Sequence, residues 1–261
     1  MQPTEHSKRT FVKEHGAQLD ADWNRLQHFY EASRLVSNIV ASKPLEKRSQ
    51  TREIVYARLD CSRPLLGQSK KNPGVFGRFG GALGDLHSVT GHTSRDRCDH
   101  FEVLARFDLA AAHIDSLIAA FPIGLCHGDC WHGNVFCTTN GRFILLDPLP
   151  APLMSEFMAE TASGCIDLAY FCASLFLGHP LAYMASLDSD RLNGLAQQTI
   201  EGYAMHTNTQ IPMKPFKALC DRISDLWVEQ YGSRLKFPIR NIKTGMARHL
   251  LRKAFFSDSR S

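Results

Sequence analysis

The chain lacks the features that mark several large classes of protein. Its formal net charge is only +4 over 261 residues, which is too small to indicate a nucleic-acid-binding protein. The most apolar stretch, residues 166–177, includes Asp167 and is shorter than the ~20 apolar residues that a membrane-spanning helix needs. Residues 1–16 contain no apolar core of a signal peptide. We therefore expect a cytoplasmic protein with no membrane span and no nucleic-acid partner.

Closely paired cysteines are also missing. The chain has 8 cysteines but no Cys-x-x-Cys sequence, and it is too long for a small disulfide-stabilised fold. Hydrophobic residues make up 44% of the chain, which is enough for the core of one large domain or of two lobes. We expect the cysteines to be reduced.

Hydrophobic periodicity predicts a small part with strands, followed by a larger helical part. Residues 9–16 and 52–59 have the composition of strands, and residues 20–40 have the apolar spacing of a helix. A loop rich in Pro, Gly, Ser and Lys at 62–77 is the expected boundary between the two parts. The helical segments expected beyond it are 79–89, 100–121 and most of the chain from about 163 to its end.

The densest cluster of chemically active side chains is Cys-His-Gly-Asp-Cys-Trp-His-Gly-Asn at 126–134. Three kinds of site fit it. A zinc site lacks a second ligand pair at the usual spacing, and its candidate ligands are Cys126, His127, Cys130, His132 and Cys137. A thiol nucleophile would be Cys130 with one of the neighbouring histidines. The third possibility is a phosphoryl-transfer loop.

A predicted hairpin supports the third possibility. Asn140-Gly141 stands between two apolar, β-prone runs, and Asn-Gly favours a two-residue type I′ turn because both turn residues need positive φ. That register would place Asn134 opposite Asp147, with Cβ atoms roughly 4.5–5.5 Å apart. An amide and a carboxylate oxygen at this separation can share Mg²⁺. The structural alternative is a buried hydrogen bond between the two side chains.

Asp129 precedes Asn134 by five residues. In a kinase catalytic loop with this Asp-x-x-x-x-Asn spacing, the Asp accepts the proton of the substrate hydroxyl and the Asn holds a metal ion. The transferred phosphoryl group is highly charged, so a metal must neutralise it while a carboxylate orients the attacking hydroxyl. The spacing therefore favours the phosphoryl-transfer loop over the two thiol-based sites.

With these residues the chain resembles the aminoglycoside phosphotransferase/choline kinase-like family of small-molecule kinases. The family's His-Gly-Asp-x-x-x-x-Asn is matched by residues 127–134, its hydrophobic strand ending in Asp by Asp147, and its Asp-Leu-Ala by residues 167–169. The Leu-x-x-Leu-His pattern that precedes the loop is similar to residues 83–87. Asp147 followed by Pro resembles the fructosamine kinase and streptomycin kinase branches.

The resemblance implies an α+β, protein-kinase-like fold with two lobes and ATP between them. It implies that Asp129 is the catalytic base and that Asn134 and Asp147 are Mg²⁺ ligands. It also implies that His127 braces the loop and that Asp167 fixes backbone and does not touch substrate.

The N-terminal part departs from the family pattern. Lys13 matches the strand lysine that holds the ATP phosphates, and Glu31 on the following helix is its best candidate partner. Only 12 residues precede Lys13, so two strands and the nucleotide-covering loop have no room. We expect a truncated N-lobe at 1–62 and a helical C-lobe at 63–261, unless the start codon was placed too late.

The predicted function is ATP- and Mg²⁺-dependent phosphorylation of a hydroxyl on a small molecule. The acceptor is a sugar, an aminoglycoside-like compound or another hydroxylated metabolite. The alternative is a catalytically impaired kinase-like protein, either a pseudokinase or a binding module, because the nucleotide-covering loop is missing.

Overall fold

The computed structural model describes residues 10–59, 63–91, 97–150, 161–177 and 189–232. Over these residues the chain forms eight strands and eight α-helices. The strands are β1 Thr10–Glu14, β2 Ile39–Ala41, β3 Pro44–Arg48, β4 Glu53–Ala57, β5 Ile123–Leu125, β6 Val135–Cys137, β7 Phe143–Leu145 and β8 Thr161–Ser163. The helices are α1 Leu19–Ser33, α2 Leu65–Gln68, α3 Val75–Thr90, α4 Arg97–Ala105, α5 Ala111–Ala120, α6 Cys165–Leu177, α7 Ser189–Thr207 and α8 Met213–Gly232.

The first sheet is antiparallel, with the strand order β1–β4–β3. The helix α1 packs on it through a small apolar cluster of Leu19, Leu26, Ile54 and Tyr56. In the β1–β4 register Lys13 lies opposite Ile54. Lys13 therefore belongs to the sheet face that looks toward α1, because side chains alternate between the two faces of a strand.

The second sheet joins both halves of the chain. The strand β2 pairs in parallel with β7, and β7 pairs with β6 in an antiparallel hairpin. Phe29 and Ile39 belong to the same buried cluster as Phe79, Phe143 and Phe171 of the helical part. The principal core thus contains residues from both sides of the predicted boundary between residues 62 and 63. The division into two lobes at that boundary stays a prediction.

The helical part surrounds a central apolar helix. Every residue of α6 is buried, and this helix packs against α7 and α8. The α3 helix lies along α7, and the short β5–β8 pair leads into the loop that contains Asp129. Because α6 belongs to the core and contacts this loop, the core supports the loop through α6.

The predicted mixture of helix and sheet is confirmed, with several differences in detail. The strand expected at 9–16 and the helix expected at 79–89 are present as β1 and α3. The segment expected to be one helix at 100–121 is two helices, because Asp108 adopts a positive φ of 55° and breaks the run. The basic C-terminal segment lies outside the described residues.

None of the helices in the described ranges combines the length and the apolar composition that crossing a bilayer requires.

Candidate functional site

The carboxylate of Asp129 and the amide of Asn134 lie in direct contact. The Asn134 side chain donates from Nδ2 to Asp129 Oδ2 at 2.9 Å and to the Asp129 backbone oxygen at 3.0 Å. The chain between them closes a short 3₁₀ turn at His132–Asn134, in which the Asn134 backbone amide donates to the Trp131 carbonyl at 2.9 Å. The turn brings together the two residues that the spacing identified.

The hairpin exists, but its predicted register is wrong by one residue. Val135 pairs with Leu145, so Asn134 lies opposite Leu146, whose amide donates to the Asn134 carbonyl at 3.0 Å. Among the turn residues Gly141 adopts a positive φ of 83°, whereas Asn140 does not. A type I′ turn needs positive φ at both positions, and a three-residue loop that ends in a left-handed Gly needs it at one.

Asp147 reaches the site by a backbone turn, since cross-strand pairing does not place it there. Its φ is 52°, a left-handed conformation that Asp tolerates better than most residues. The Leu149 amide donates to the Asp147 carbonyl at 2.7 Å, which closes a tight turn over Pro148. Immediately after β7 the chain thus bends back beside the loop.

Lys13 pairs with Asp147. Its Nζ lies 3.0 Å from Asp147 Oδ1, and each of the two side chains is 42% exposed. This ion pair joins β1 to the segment after the hairpin. Both charged groups are accessible, so a ligand can reach either of them.

The environment of Asp129 raises its pKa to about 7. Burial is the largest cause, and the negative charge of Asp147 adds to it. Hydrogen bonds from Tyr170 and Asn134 and the positive charge of Lys13 act in the opposite direction. A carboxyl whose pKa lies near neutrality suits general base catalysis at physiological pH.

The Asn134 amide is oriented so that its oxygen remains free for a cation. Because both of its described hydrogen bonds to Asp129 come from Nδ2, its Oδ1 points away from that carboxyl. The carboxylate of Asp147 offers further oxygen donors. An amide oxygen and a carboxylate are the hard donors that Mg²⁺ takes. These oxygen atoms therefore fit the Mg²⁺ ion that the sequence predicts.

A second buried carboxylate holds the backbone of the loop. Asp167 accepts hydrogen bonds from the His127 amide at 2.6 Å and the Gly128 amide at 3.0 Å. His87 Nε2 lies 3.2 Å from the same carboxylate. Burial alone would raise the pKa of Asp167, but His87, His127 and the Gly128 amide hold this pKa below its usual value. Asp167 thus touches backbone, as the resemblance implied.

His127 is a brace inside the loop. It is completely buried, and its Nδ1 accepts a hydrogen bond from the Asp129 amide at 3.2 Å. Burial lowers the pKa of His127 to about 4, against the opposing effect of Asp167. Gly128 has a φ of 85°, and a Cβ there would lie 3.1 Å from both Arg25 Nη2 and Pro150 Cα. Any other residue would be strained at this point of the loop, both by its backbone conformation and by these two contacts.

Two residues of α1 contact the loop, and neither contact was predicted from the sequence. Arg25 donates from Nη2 to the Cys126 carbonyl at 2.9 Å and from Nε to the Pro148 carbonyl at 3.2 Å. The ring of Phe29 meets the ring of His127 edge-on, with centroids 5.4 Å apart. Their i, i+4 spacing on one helix face was the available signal.

Glu31, the predicted partner of Lys13, points elsewhere. It lies two residues after Phe29, about 200° around the helix, and is therefore on the opposite face. Its ion pair is with Arg34, at 3.0 Å, and its side chain is 62% exposed. The structure brings Lys13, Asp129, Asn134 and Asp147 together but leaves Glu31 outside the group.

Among the described residues, neither of the two thiol-based alternatives finds support. Cys126 and Cys130 are completely buried, and burial raises the pKa of each thiol well above its ordinary value. Over the described ranges, the group of potential metal ligands that does converge is His87, Cys126 and Asp167. Its members are buried and hydrogen-bonded within the core, with the Cys126 thiol 3.6 Å from the Ala162 carbonyl.

Comparisons with known proteins identify the fold of the chain. No protein-family model matches the chain, and neither does any curated protein. A choline/ethanolamine kinase family protein from Mesorhizobium loti superposes with a TM-score of 0.58 at 15% identity, over 95% of this chain and 83% of that one. A glucosamine kinase in complex with glucosamine, ADP and inorganic phosphate gives 0.58 at 12% identity, over 94% and 72%.

An aminoglycoside phosphotransferase has the same fold. The aminoglycoside phosphotransferase of Streptomyces rimosus, in complex with ADP and streptomycin, superposes with a TM-score of 0.50 at 13% identity, over 86% of this chain and 91% of that one. Identities this low establish the fold alone. The chain has the fold of the aminoglycoside phosphotransferase and choline kinase-like small-molecule kinases, as its motifs predicted.

Proposed function

We propose that this chain is an ATP- and Mg²⁺-dependent phosphotransferase that phosphorylates a hydroxyl group of a small molecule. The observation that carries the proposal is the Asp129 carboxylate, which is held by Asn134 and lies beside the Lys13–Asp147 pair. The structural neighbours support the reaction class, since they are choline, glucosamine and aminoglycoside kinases.

Asp129 acts as the base toward the acceptor. Its carboxylate accepts the proton of the acceptor hydroxyl while that oxygen forms a bond to the γ-phosphorus of ATP. The bond from the γ-phosphorus to the bridging oxygen breaks, and its electron pair leaves with ADP. Because the transferred group is loosely bonded in the transition state, positioning and charge stabilisation supply most of the rate enhancement.

Asn134 and Asp147 hold the metal through oxygen atoms. The Asn134 amide oxygen is oriented by the hydrogen bonds that Nδ2 makes to Asp129, and the Asp147 carboxylate is accessible. Bound Mg²⁺ supplies the positive charge that neutralises the phosphate oxygens. Lys13 lies beside Asp147 and contributes a second positive charge to the same phosphates.

The acceptor is a sugar, an amino sugar or another hydroxylated metabolite. Two neighbours were solved with such molecules, one with glucosamine and the other with streptomycin. The test is γ-phosphate transfer from Mg·ATP to a panel of sugars, amino sugars, aminoglycosides and amino alcohols. A phosphorylated product formed by the wild-type protein supports the proposal, whereas hydrolysis alone or no reaction with any member of the panel contradicts it.

A binding function without catalysis is the second candidate, and one observation favours it. Lys13 pairs with Asp147, and Glu31 of α1 pairs with Arg34 instead, so α1 does not supply the carboxylate expected beside this lysine. Both candidates bind nucleotide. Measuring the unfolding temperature at increasing Mg·ATP concentrations shows whether the protein does so. A nucleotide present at 100 times its Kd stabilises the folded state by about 2.7 kcal/mol. Such a shift without phosphate transfer favours the binding module.

A further inference from the structure

The buried helix α6 carries a stripe of polar groups on the side that faces the loop. Its sequence, Cys165–Leu177, is apolar except for Asp167, Tyr170 and Ser174, and these three residues are at most 4% exposed. They are spaced by three and four residues, so they lie on one face of the helix. Polar side chains this deeply buried need hydrogen-bond partners.

The two ends of the stripe bind successive parts of the loop backbone. Asp167 accepts the amides of His127 and Gly128, at the start of the loop. Ser174 accepts the His132 amide at 2.9 Å, near the end of the loop, and donates to the Phe171 carbonyl at 2.7 Å. The direction of α6 therefore follows the direction of the loop.

Tyr170 occupies the middle of the stripe, and Asp129 occupies the middle of the loop. The phenol of Tyr170 makes a side-chain hydrogen bond to the Asp129 carboxylate. Asn134 Nδ2 donates to Oδ2 of the same carboxylate at 2.9 Å. A carboxylate held by two donors from different elements has one orientation, and it keeps lone pairs for a further donor.

We infer that Tyr170 is a positioning residue that fixes the Asp129 carboxylate toward the acceptor hydroxyl, so that α6 supplies both the backbone brace and the orientation of the base. The inference rests on the proposed function, because it gives Tyr170 a role in that reaction. It also accounts for a hydroxyl at this site, since phenylalanine would fill the same apolar space without a buried phenol that needs a partner.

The test is the Tyr170→Phe variant, which removes only the phenolic oxygen. We expect kcat to fall on the order of 10- to 100-fold, because a misplaced catalytic group loses rate without losing substrate contacts. The KM values for ATP and for the acceptor should stay within twofold of wild type. A residue with only a structural role would lower the unfolding temperature and leave kcat unchanged.

Thr199→Val is the matched control for the loss of a buried hydroxyl. Thr199 is completely buried in α7, and its Oγ1 donates to the Leu195 carbonyl at 2.9 Å, away from the loop. We expect this variant to lose stability as Tyr170→Phe does and to keep the wild-type kcat. If Tyr170→Phe also keeps the wild-type kcat, the inference is overturned, while the proposed function stands.

A second measurement does not depend on catalysis. In a double-mutant cycle of Tyr170→Phe and Asp129→Ala, followed by thermal unfolding without nucleotide, we expect non-additive shifts of the unfolding temperature because the two side chains share one hydrogen bond. Additive shifts overturn the inference. If the wild-type protein transfers no phosphate, the proposed function fails on its own, and this cycle still decides whether Tyr170 holds Asp129.

Discussion

Lys13 Nζ lies 3.0 Å from Asp147 Oδ1, so the lysine of the first strand is paired with a carboxylate that follows the hairpin. The pair brings a cation from β1 to the proposed metal ligand. Both side chains are 42% exposed, and water screens their attraction. The contact therefore contributes little to folding stability. Its effect is to place the lysine beside the proposed metal ligand.

Replacing Lys13 by Met should weaken nucleotide binding with little effect on stability. We expect the KM for ATP to rise roughly 10-fold, equivalent to about 1.4 kcal/mol, because a positive charge beside the phosphates is lost. The free energy of unfolding should change by less than about 1 kcal/mol, as for other exposed ion pairs. The matched control is Lys47→Met, since Lys47 of β3 pairs with Asp20 at 2.7 Å. Equal KM values for the two variants would contradict the role of Lys13.

Replacing Asp129 by Asn should stabilise the protein in alkaline solution. The folded state raises the pKa of Asp129 to about 7, so ionising this carboxyl disfavours folding. Relative to the variant, the wild type is therefore most stable below the unfolded pKa of about 4. It loses this stability as pH rises from there through the folded pKa of about 7. At pH 8, with EDTA present, the variant should gain at most about 4 kcal/mol, since each pKa unit corresponds to about 1.4 kcal/mol.

Chemical denaturation at pH 4, 6 and 8 measures this difference. A gain that grows with pH is the expected result. A variant less stable than wild type at pH 8, or a difference independent of pH, would show that Asp129 is not held in a buried site.

Asp167→Asn should destabilise the protein by about 3 kcal/mol at neutral pH. The His127 and Gly128 amides each donate to a different oxygen of the carboxylate, so an amide side chain would satisfy one of these buried donors and set its NH₂ group against the other. Because the folded state lowers the pKa of Asp167, its contribution is present above about pH 4 and is lost as pH falls through the folded pKa.

The control for this substitution is Asp115→Asn, on an exposed position of α5. It should change the free energy of unfolding by less than about 0.5 kcal/mol. Urea denaturation at pH 7 and pH 3 checks both variants. If Asp167→Asn behaves like the control at pH 7, Asp167 does not brace the loop.

Two glycine-to-alanine substitutions with opposite expected effects on stability test the hairpin turn. Gly141 has a φ of 83°, and a Cβ added there would meet open space, so Gly141→Ala should cost about 1 kcal/mol through backbone strain alone. Gly194 lies inside α7, also in open space, and Gly194→Ala should stabilise by about 0.5–1 kcal/mol. Thermal unfolding of both variants is sufficient, and destabilisation of equal size in both would contradict the turn.

The sequence alone predicted the contact between Asp129 and Asn134 well, because its signal is local. Asp129 and Asn134 are five residues apart, and one short turn brings them into contact. The structural neighbours confirm the fold that the combined motif indicated. The position of Asp147 was harder to predict, because one extra residue in the turn shifts the whole pairing register.

Contacts between distant segments could not be derived from spacing. Arg25 reaches carbonyls at Cys126 and Pro148, more than a hundred residues further along the chain, and nothing local marks it. Glu31 was chosen by its charge and position on a helix, but the rotation of α1 that buries Phe29 turns it to the outside. Which face of a helix is buried depends on packing that a single sequence determines only weakly.

Phosphate transfer by Asp129→Asn tests the central claim most directly. The measurement is the rate of acceptor phosphorylation in a single turnover at saturating Mg·ATP, for wild type, Asp129→Asn and the exposed control Asp115→Asn. We predict that Asp129→Asn is slower by about 10²- to 10⁴-fold, the usual contribution of a general base, and that Asp115→Asn matches wild type. Equal rates for wild type and Asp129→Asn would contradict the assignment of Asp129 as the base.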